Sequence, residues 1–140
     1  MSSRIAGLGV VCLLLGAVIA MAGQSENETI AIASAETWLS TVDREQYGES
    51  WKEAAEYFRN AIKKDQWEQA VQGVRKPLGK LVSRKLKTTT SKTSLPGAPD
   101  GHYVVIQFMT SFENKKAAIE TVTPMLDKDG TWRVSGYFIK

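Results

Sequence analysis

Apolar residues in this chain change their spacing halfway along it. Between residues 28 and 43, Ala31, Ala35, Trp38, Leu39 and Val42 recur every three or four positions. That spacing lines up one face of a helix and predicts a first helix over 28–43. The pattern breaks at Tyr47-Gly48. Ser50-Trp51-Lys52-Glu53 then has the form of a capping box, in which hydroxyl and carboxylate satisfy free backbone N–H groups reciprocally. Behind it, Trp51, Ala54, Ala55, Phe58, Ala61 and Ile62 form a stripe that predicts one continuous second helix. A third is expected from Asp65 as N-cap, with Glu68 three residues on and a stripe of Trp67, Ala70, Val71 and Val74. Pro77 and Gly79 end it.

From Leu81 the period shortens to two. Residues 81–93 are rich in Val, Thr and Lys and predict a strand. Strict alternation places Lys85 and Lys87 with Thr89 on one face, and Arg84 with Val82 and Leu86 on the other. The turn cluster Leu95-Pro96-Gly97-Ala98-Pro99-Asp100-Gly101 leads into a second strand, 103–112. Its two faces are Val104, Ile106, Phe108 and Phe112 against Tyr103, Val105, Gln107 and Met109. A third strand is expected over 117–126, with Pro124 marking an edge or a bulge. Asp129-Gly130 is a hairpin signal before a fourth strand, 132–139. There Trp132, Val134 and Phe138 are expected on one face and Tyr137 and Ile139 on the other, with Gly136 at a bulge or a close approach. Helices followed by strands indicate an α+β fold, three N-terminal helices packed on a four-stranded antiparallel meander.

The N-terminus has a different character. Arg4 precedes an uncharged apolar run, residues 5–20, and Ala20-Met21-Ala22 offers small residues for cleavage. This is the layout of a secretory signal peptide over 1–22, with a mature single domain over 23–140. The rival reading is a retained membrane anchor, for which the run is short and glycine-rich. The expected location is periplasmic or secreted. Cys12 is the only cysteine and lies inside the run. The mature part is therefore without disulfides, thiol chemistry or cysteine-ligated metal. Trp38, Trp51, Phe58, Trp67 and Trp132 are expected to build its core.

Three segments carry a family resemblance. They are Ser50-Trp51-Lys52-Glu53-Ala54-Ala55 with Phe58; Leu95 through Val105; and Glu120-Thr121-Val122-Thr123 followed by Asp129 through Ile139. With the spacing between them, they resemble a family of small exported bacterial proteins catalogued as a domain of unknown function (number four thousand nineteen). The order of elements also resembles the cystatin-like and nuclear-transport-factor-two-like folds, in which a curved sheet wraps a long helix into a cone. Pro124 departs from the uninterrupted strand expected there. The resemblance implies a compartment and a fold, and no activity.

Candidate chemistry is sparse. His102, the single histidine, follows the Pro/Gly turn and reads as a solvated loop residue, since one histidine cannot form a multi-histidine metal site. No nucleophile elbow or phosphate loop occurs in the mature part, so no metal and no cofactor is expected. Glu120 is the one carboxylate worth weighing. Lining a cone, it would be a buried base of an isomerase or lyase, with Tyr103 and Tyr137 along the same pocket. Its simpler role is an ion pair with Arg133 or Arg84, or a position facing water. Residues 69–99 contain seven bases and no acid. Lys85, Lys87 and Lys92 are thus candidates for an anionic envelope surface, or simply for a solvated strand face. Residues 68–94 contain no aromatic side chain, which argues against nucleic acid. The function expected first is a non-enzymatic binding or interaction module of the cell envelope, with a small apolar ligand or an envelope protein as partner. Membrane contact is expected only through the signal sequence, if it is retained.

Overall fold

The computed structural model describes the backbone from Val18 to Lys140 and the side chains from Glu26 onward. Most of the expected signal sequence, including Cys12, lies outside the described residues. Four helices precede four strands: α1 (Val18–Asp43), α2 (Tyr47–Glu53), α3 (Glu56–Ala61), α4 (Lys64–Leu78), β1 (Leu81–Lys92), β2 (Tyr103–Phe112), β3 (Lys115–Leu126) and β4 (Trp132–Ile139). The sheet is an antiparallel meander in the order β1-β2-β3-β4. The α+β class follows from this segregation, with helices on the inner face of the sheet.

The expected second helix is two helices. Ala54 and Ala55 adopt extended backbone (φ −74°, ψ 164° and φ −60°, ψ 151°) and break the stripe between α2 and α3. The break is compensated by a bond to the sheet, since the Ala55 N–H donates to the Val134 carbonyl at 2.8 Å. Ser50 is not the cap that its sequence context predicts. It sits inside α2, fully buried, and its hydroxyl donates to the Tyr47 carbonyl. Three tryptophans converge near it. Trp38 Nε1 donates to the Ser50 carbonyl at 2.8 Å and Trp67 Nε1 to the Ser50 Oγ at 2.9 Å, while Trp51 Nε1 donates to the Ile62 carbonyl at 2.8 Å. Buried indole N–H groups need such partners, so these bonds fix how α1, α2 and α4 meet. Trp67 also stands edge-on to Phe58, with ring centroids 4.9 Å apart. Lys63, rather than Asp65, occupies the cap of α4; its N–H donates to the Gln66 side chain.

Sheet register decides which side chains face the helices. Ile106 pairs with Val122, Phe108 with Glu120 and Thr110 with Ala118, and these positions line the inner face. Two shifts alter what alternation predicts. Between Leu86 and Thr88 a bulge inverts β1, so Thr89 joins Ile106 on the inner face instead of sharing a face with Lys85. Thr89 and Ser91 there reach Glu28 of α1. Between Thr123 and Pro124 a second shift inverts β4. Tyr137 and Ile139 then share the inner face with Trp132 and Val134, whereas Phe138 turns outward and is 58 % exposed. The expected pairing of Phe138 with Trp132 and Val134 is corrected accordingly. Pro124 lies on an internal strand, so the bulge rather than an edge accommodates its missing N–H.

A smaller cluster closes one end of the sheet. Tyr103, Met125 and Ala55 are buried together, with Tyr57, Leu95 and Ala98 packed against them. The Tyr57 hydroxyl bonds to the Gly97 carbonyl and the Tyr103 hydroxyl to the Pro99 carbonyl, so the Pro/Gly loop is tied down.

Candidate functional site

Two features of the inner face stand out: a buried polar network and an open groove. Every strand contributes to the first. Arg84 of β1, Thr110 of β2, Glu120 of β3 and Tyr137 of β4 meet beneath the C-terminal ends of α1 and α4, which supply Asp43 and Arg75. Glu120 is fully buried. Its Oε1 accepts from Arg84 Nε at 2.7 Å and from Thr110 Oγ1 at 2.6 Å. Its Oε2 accepts from Arg84 Nη2 at 3.2 Å and from the Tyr137 hydroxyl. Asp43 takes the other end of the same guanidinium, with Arg84 Nη1 at 2.7 Å and Nη2 at 3.0 Å. Arg75 Nη2 adds a third bond to Asp43 at 2.8 Å.

Two carboxylates and two guanidiniums make the network neutral, which is what makes its burial tolerable. Burial pushes the Asp43 carboxyl up, but Arg84 and then Arg75 outweigh it and hold the group below its ordinary value. Burial lowers the Arg84 guanidinium, and Asp43 and Glu120 more than reverse this, leaving it above its ordinary value. Burial and the adjacent Glu120 charge raise Tyr137, so its phenol stays protonated and donates. Arg75 is served less well. Its guanidinium lies 4.9 Å from the Phe112 ring centroid, and Nε and Nη1 are buried without a protein partner.

The sequence candidates distribute unevenly around this network. Glu120 and Tyr137 are brought together, and the ion-pair partner is Arg84, not Arg133. Arg133 instead holds Asp127 at 3.0 Å and Asp129 at 2.8 Å. Tyr103 is not part of the site. It pairs with Met125 at the far end of β2, whereas Glu120 pairs with Phe108. Lys92, His102 and Tyr103 border a separate polar cleft of about 500 Å³, together with Asn27 and Ser91. Lys85 and Lys87 are exposed on β1. Asp43, Arg75 and Thr110 were invisible as site residues in the sequence. Their signal, a lone charge or hydroxyl at the end of an apolar pattern, is too common to single them out.

The groove lies between α1 and the β3–β4 hairpin and has a volume of about 900 Å³. Its apolar walls are Ile30, Trp38, Leu126, Trp132 and Val134, and Ser34, Thr37, Glu53 and Thr131 add polar groups. Helical spacing places Ile30, Ser34 and Thr37 along one side of α1. The Ser34 hydroxyl donates to the Trp132 carbonyl at 2.8 Å and joins the helix to β4. Trp38 links the two features, since it lines the groove and stands edge-on to Tyr137 at 5.3 Å. Such a mixture of apolar walls and few polar groups suits a small ligand. Among the described residues no group of three or more acidic, histidine or cysteine side chains is arranged to hold a metal ion, and no helix is long and apolar enough to cross a membrane.

Comparison with known proteins adds a single relationship. No curated protein and no solved structure matches the chain. The description "protein of unknown function (DUF4019)" matches residues 34–137, from Ser34 at the groove to Tyr137 at the network. This chain belongs to the DUF4019 family.

Proposed function

We propose that this chain is an exported, non-enzymatic binding module whose groove between α1 and the β3–β4 hairpin takes a small apolar ligand. The observation that carries this reading is the groove itself, walled by Ile30, Trp38, Leu126 and Trp132 and open to solvent. Glu120 supports it from the other side. A general base must come within hydrogen-bond reach of a substrate proton. Glu120 is fully buried, and both its oxygens are occupied by Arg84, Thr110 and Tyr137. Its role in this reading is to hold the strands together, not to move a proton.

Export rests on the signal-like segment 1–22 and places the module in the periplasm or outside the cell. Processing after Ala22 removes the first residues of α1, and every residue lining the groove lies at 27 or beyond.

The test is mass spectrometry of the protein recovered from its own cells, denatured and native. Denaturing spectra are expected to give a chain beginning at Gly23. Native spectra are expected to show a small apolar molecule bound, and Ala33→Trp, which fills the groove from an exposed position on α1, to abolish it. An empty groove in both proteins, or a ligand retained by Ala33→Trp, overturns the reading. Capture of an envelope protein through the same face would replace the ligand with a protein partner.

A further inference from the structure

The outer face of the sheet carries no helix over its central rows, and its composition is one-sided. One row crosses all four strands. Lys85 pairs with Met109, Met109 with Ile119, and Ile119 exchanges both main-chain hydrogen bonds with the neighbouring Lys140. The adjacent row is Thr88, Gln107, Thr121 and Phe138. Met109 and Phe138 are both 58 % exposed. Among the described residues no acidic side chain occupies either row, and neither Lys85 nor Lys140 enters an ion pair. Lys115 and Lys116, both exposed at the start of β3, extend the positive end. At the opposite end Glu56, Asp100 and Asp127 line one pocket with Lys128 and Met125, and Asp127 is paired with Arg133.

Single exposed apolar residues on a sheet need no explanation. Here, however, a thioether and a phenyl ring project beside cations, in two rows with no acidic side chain to neutralise them. A protein partner of fixed geometry would call for acceptors and donors in register, whereas Thr88 is already bonded to Gln107 and Thr121 is buried. A diffuse negative charge above an apolar boundary matches both halves of the pattern. We propose that this face rests on an anionic lipid bilayer, with Met109 and Phe138 entering the headgroup boundary and Lys85 and Lys140 meeting lipid phosphates. The apolar run at residues 5–20 brings the same chain to a bilayer during export. The inference goes beyond the ligand reading, because the groove lies on the inner face and either can fail alone.

Met109 supplies its own probe. Peroxide converts an exposed methionine to its sulfoxide, and lipid contact shields it. The protein as processed by its cells is mixed with phosphatidylglycerol-containing vesicles, with phosphatidylcholine vesicles, or with soluble polyglutamate, and Met109 oxidation is followed by peptide mass. Oxidation is expected to slow about tenfold with the anionic vesicles alone, and the protection to fade as salt rises. Lys85→Glu with Lys140→Glu is expected to abolish it, as each lysine contributes about fivefold. Lys52→Glu with Lys76→Glu, exposed changes of equal total charge on α2 and α4, is expected to leave it intact. Unchanged Met109 reactivity, equal protection by neutral lipid, protection by polyglutamate without vesicles, or equal loss in the Lys52→Glu and Lys76→Glu double variant each overturns the inference.

Discussion

Arg84 and Glu120 are two strands apart, yet they form a bidentate pair across the intervening β2, with Nε to Oε1 at 2.7 Å and Nη2 to Oε2 at 3.2 Å. Neighbouring strands lie about 4.8 Å apart, so only a side chain as long as arginine spans the gap. Thr110, on the strand between, bonds to the same carboxylate and completes the bridge. The inner face of β1, β2 and β3 is therefore cross-linked by one ion pair, with Tyr137 extending it to β4.

The two members of this pair are expected to act as a unit, so that removing both costs less than the sum of removing each alone. Arg84→Met leaves Glu120 and Asp43 buried with too little positive charge and should destabilise by about 3–5 kcal/mol. Glu120→Met should cost about 3–5 kcal/mol for the same reason in reverse. Combining Arg84→Met with Glu120→Met is expected to fall at least about 1 kcal/mol short of the sum of the single effects. Urea denaturation of the four proteins measures the coupling, and strict additivity would show that the pair does not act as a unit.

Arg75 is expected to be more dispensable than Arg84. It makes one bond to Asp43, which Arg84 already binds twice, and two of its nitrogens are buried without a protein partner. Arg75→Met removes the unpaired donors but leaves the two buried carboxylates with one guanidinium, so a loss of about 2 kcal/mol, smaller than that of Arg84→Met, is predicted. A loss equal to that of Arg84→Met in the same denaturation series would count against this ranking.

Acid should weaken the fold through Asp43. Its folded-state pKa lies below the ordinary value of 3.8, so its contribution is complete at pH values above that number. It is lost as pH falls through the lowered folded value. Asp129, held to about 2 by Arg133 and the Thr131 backbone, titrates in the same direction from the surface. Stability is therefore expected to hold from neutrality to about pH 5 and to decline below about pH 4. Asp43→Asn should be less stable at neutrality and show a shallower acid decline. A decline of unchanged steepness in that variant would remove Asp43 from the explanation.

Glycines at two positions should behave oppositely when replaced by alanine. Gly79 ends α4 with φ 76°, and a Cβ there would lie 3.0 Å from the Glu113 Cβ. Gly79→Ala is expected to cost about 1–2 kcal/mol. Gly136, beside the β4 bulge, has ordinary φ, and a Cβ would meet only the Thr123 Cβ at 3.9 Å. Gly136→Ala should be neutral or stabilising by up to about 1 kcal/mol, through a less flexible unfolded chain. Thermal melts of the two variants separate these outcomes.

Much of the architecture was readable along the chain because the signals are local. The stripe from Ala31 to Val42, the alternation from Val104 to Phe112 and the Asp129-Gly130 hairpin each specify an element from residues a few positions apart. Pro124 and Gly136 even marked where a bulge would fall. The consequence of the bulge was not readable. One extra residue turns every later side chain to the opposite face, and whether it falls before or after a given position depends on the partner strand. That shift put Tyr137 inside and Phe138 outside, and its counterpart in β1 did the same for Thr89. The Ala54-Ala55 break was hidden for a similar reason, since alanine is a good helix former and only the Val134 carbonyl makes the extended form worthwhile.

The site divides along the same line. Glu120 drew notice from the sequence because an acid among apolar strand residues is costly to bury, and Arg84 was one of two arginines weighed as its partner. Which arginine did so, and that Asp43, Arg75, Thr110 and Tyr137 would join, was fixed only when four strands and two helix ends were brought together. By itself the sequence determined most of the elements and their order, and singled out Glu120. The tertiary structure decided the faces, the partner and the groove, because each depends on residues brought together from distant parts of the chain.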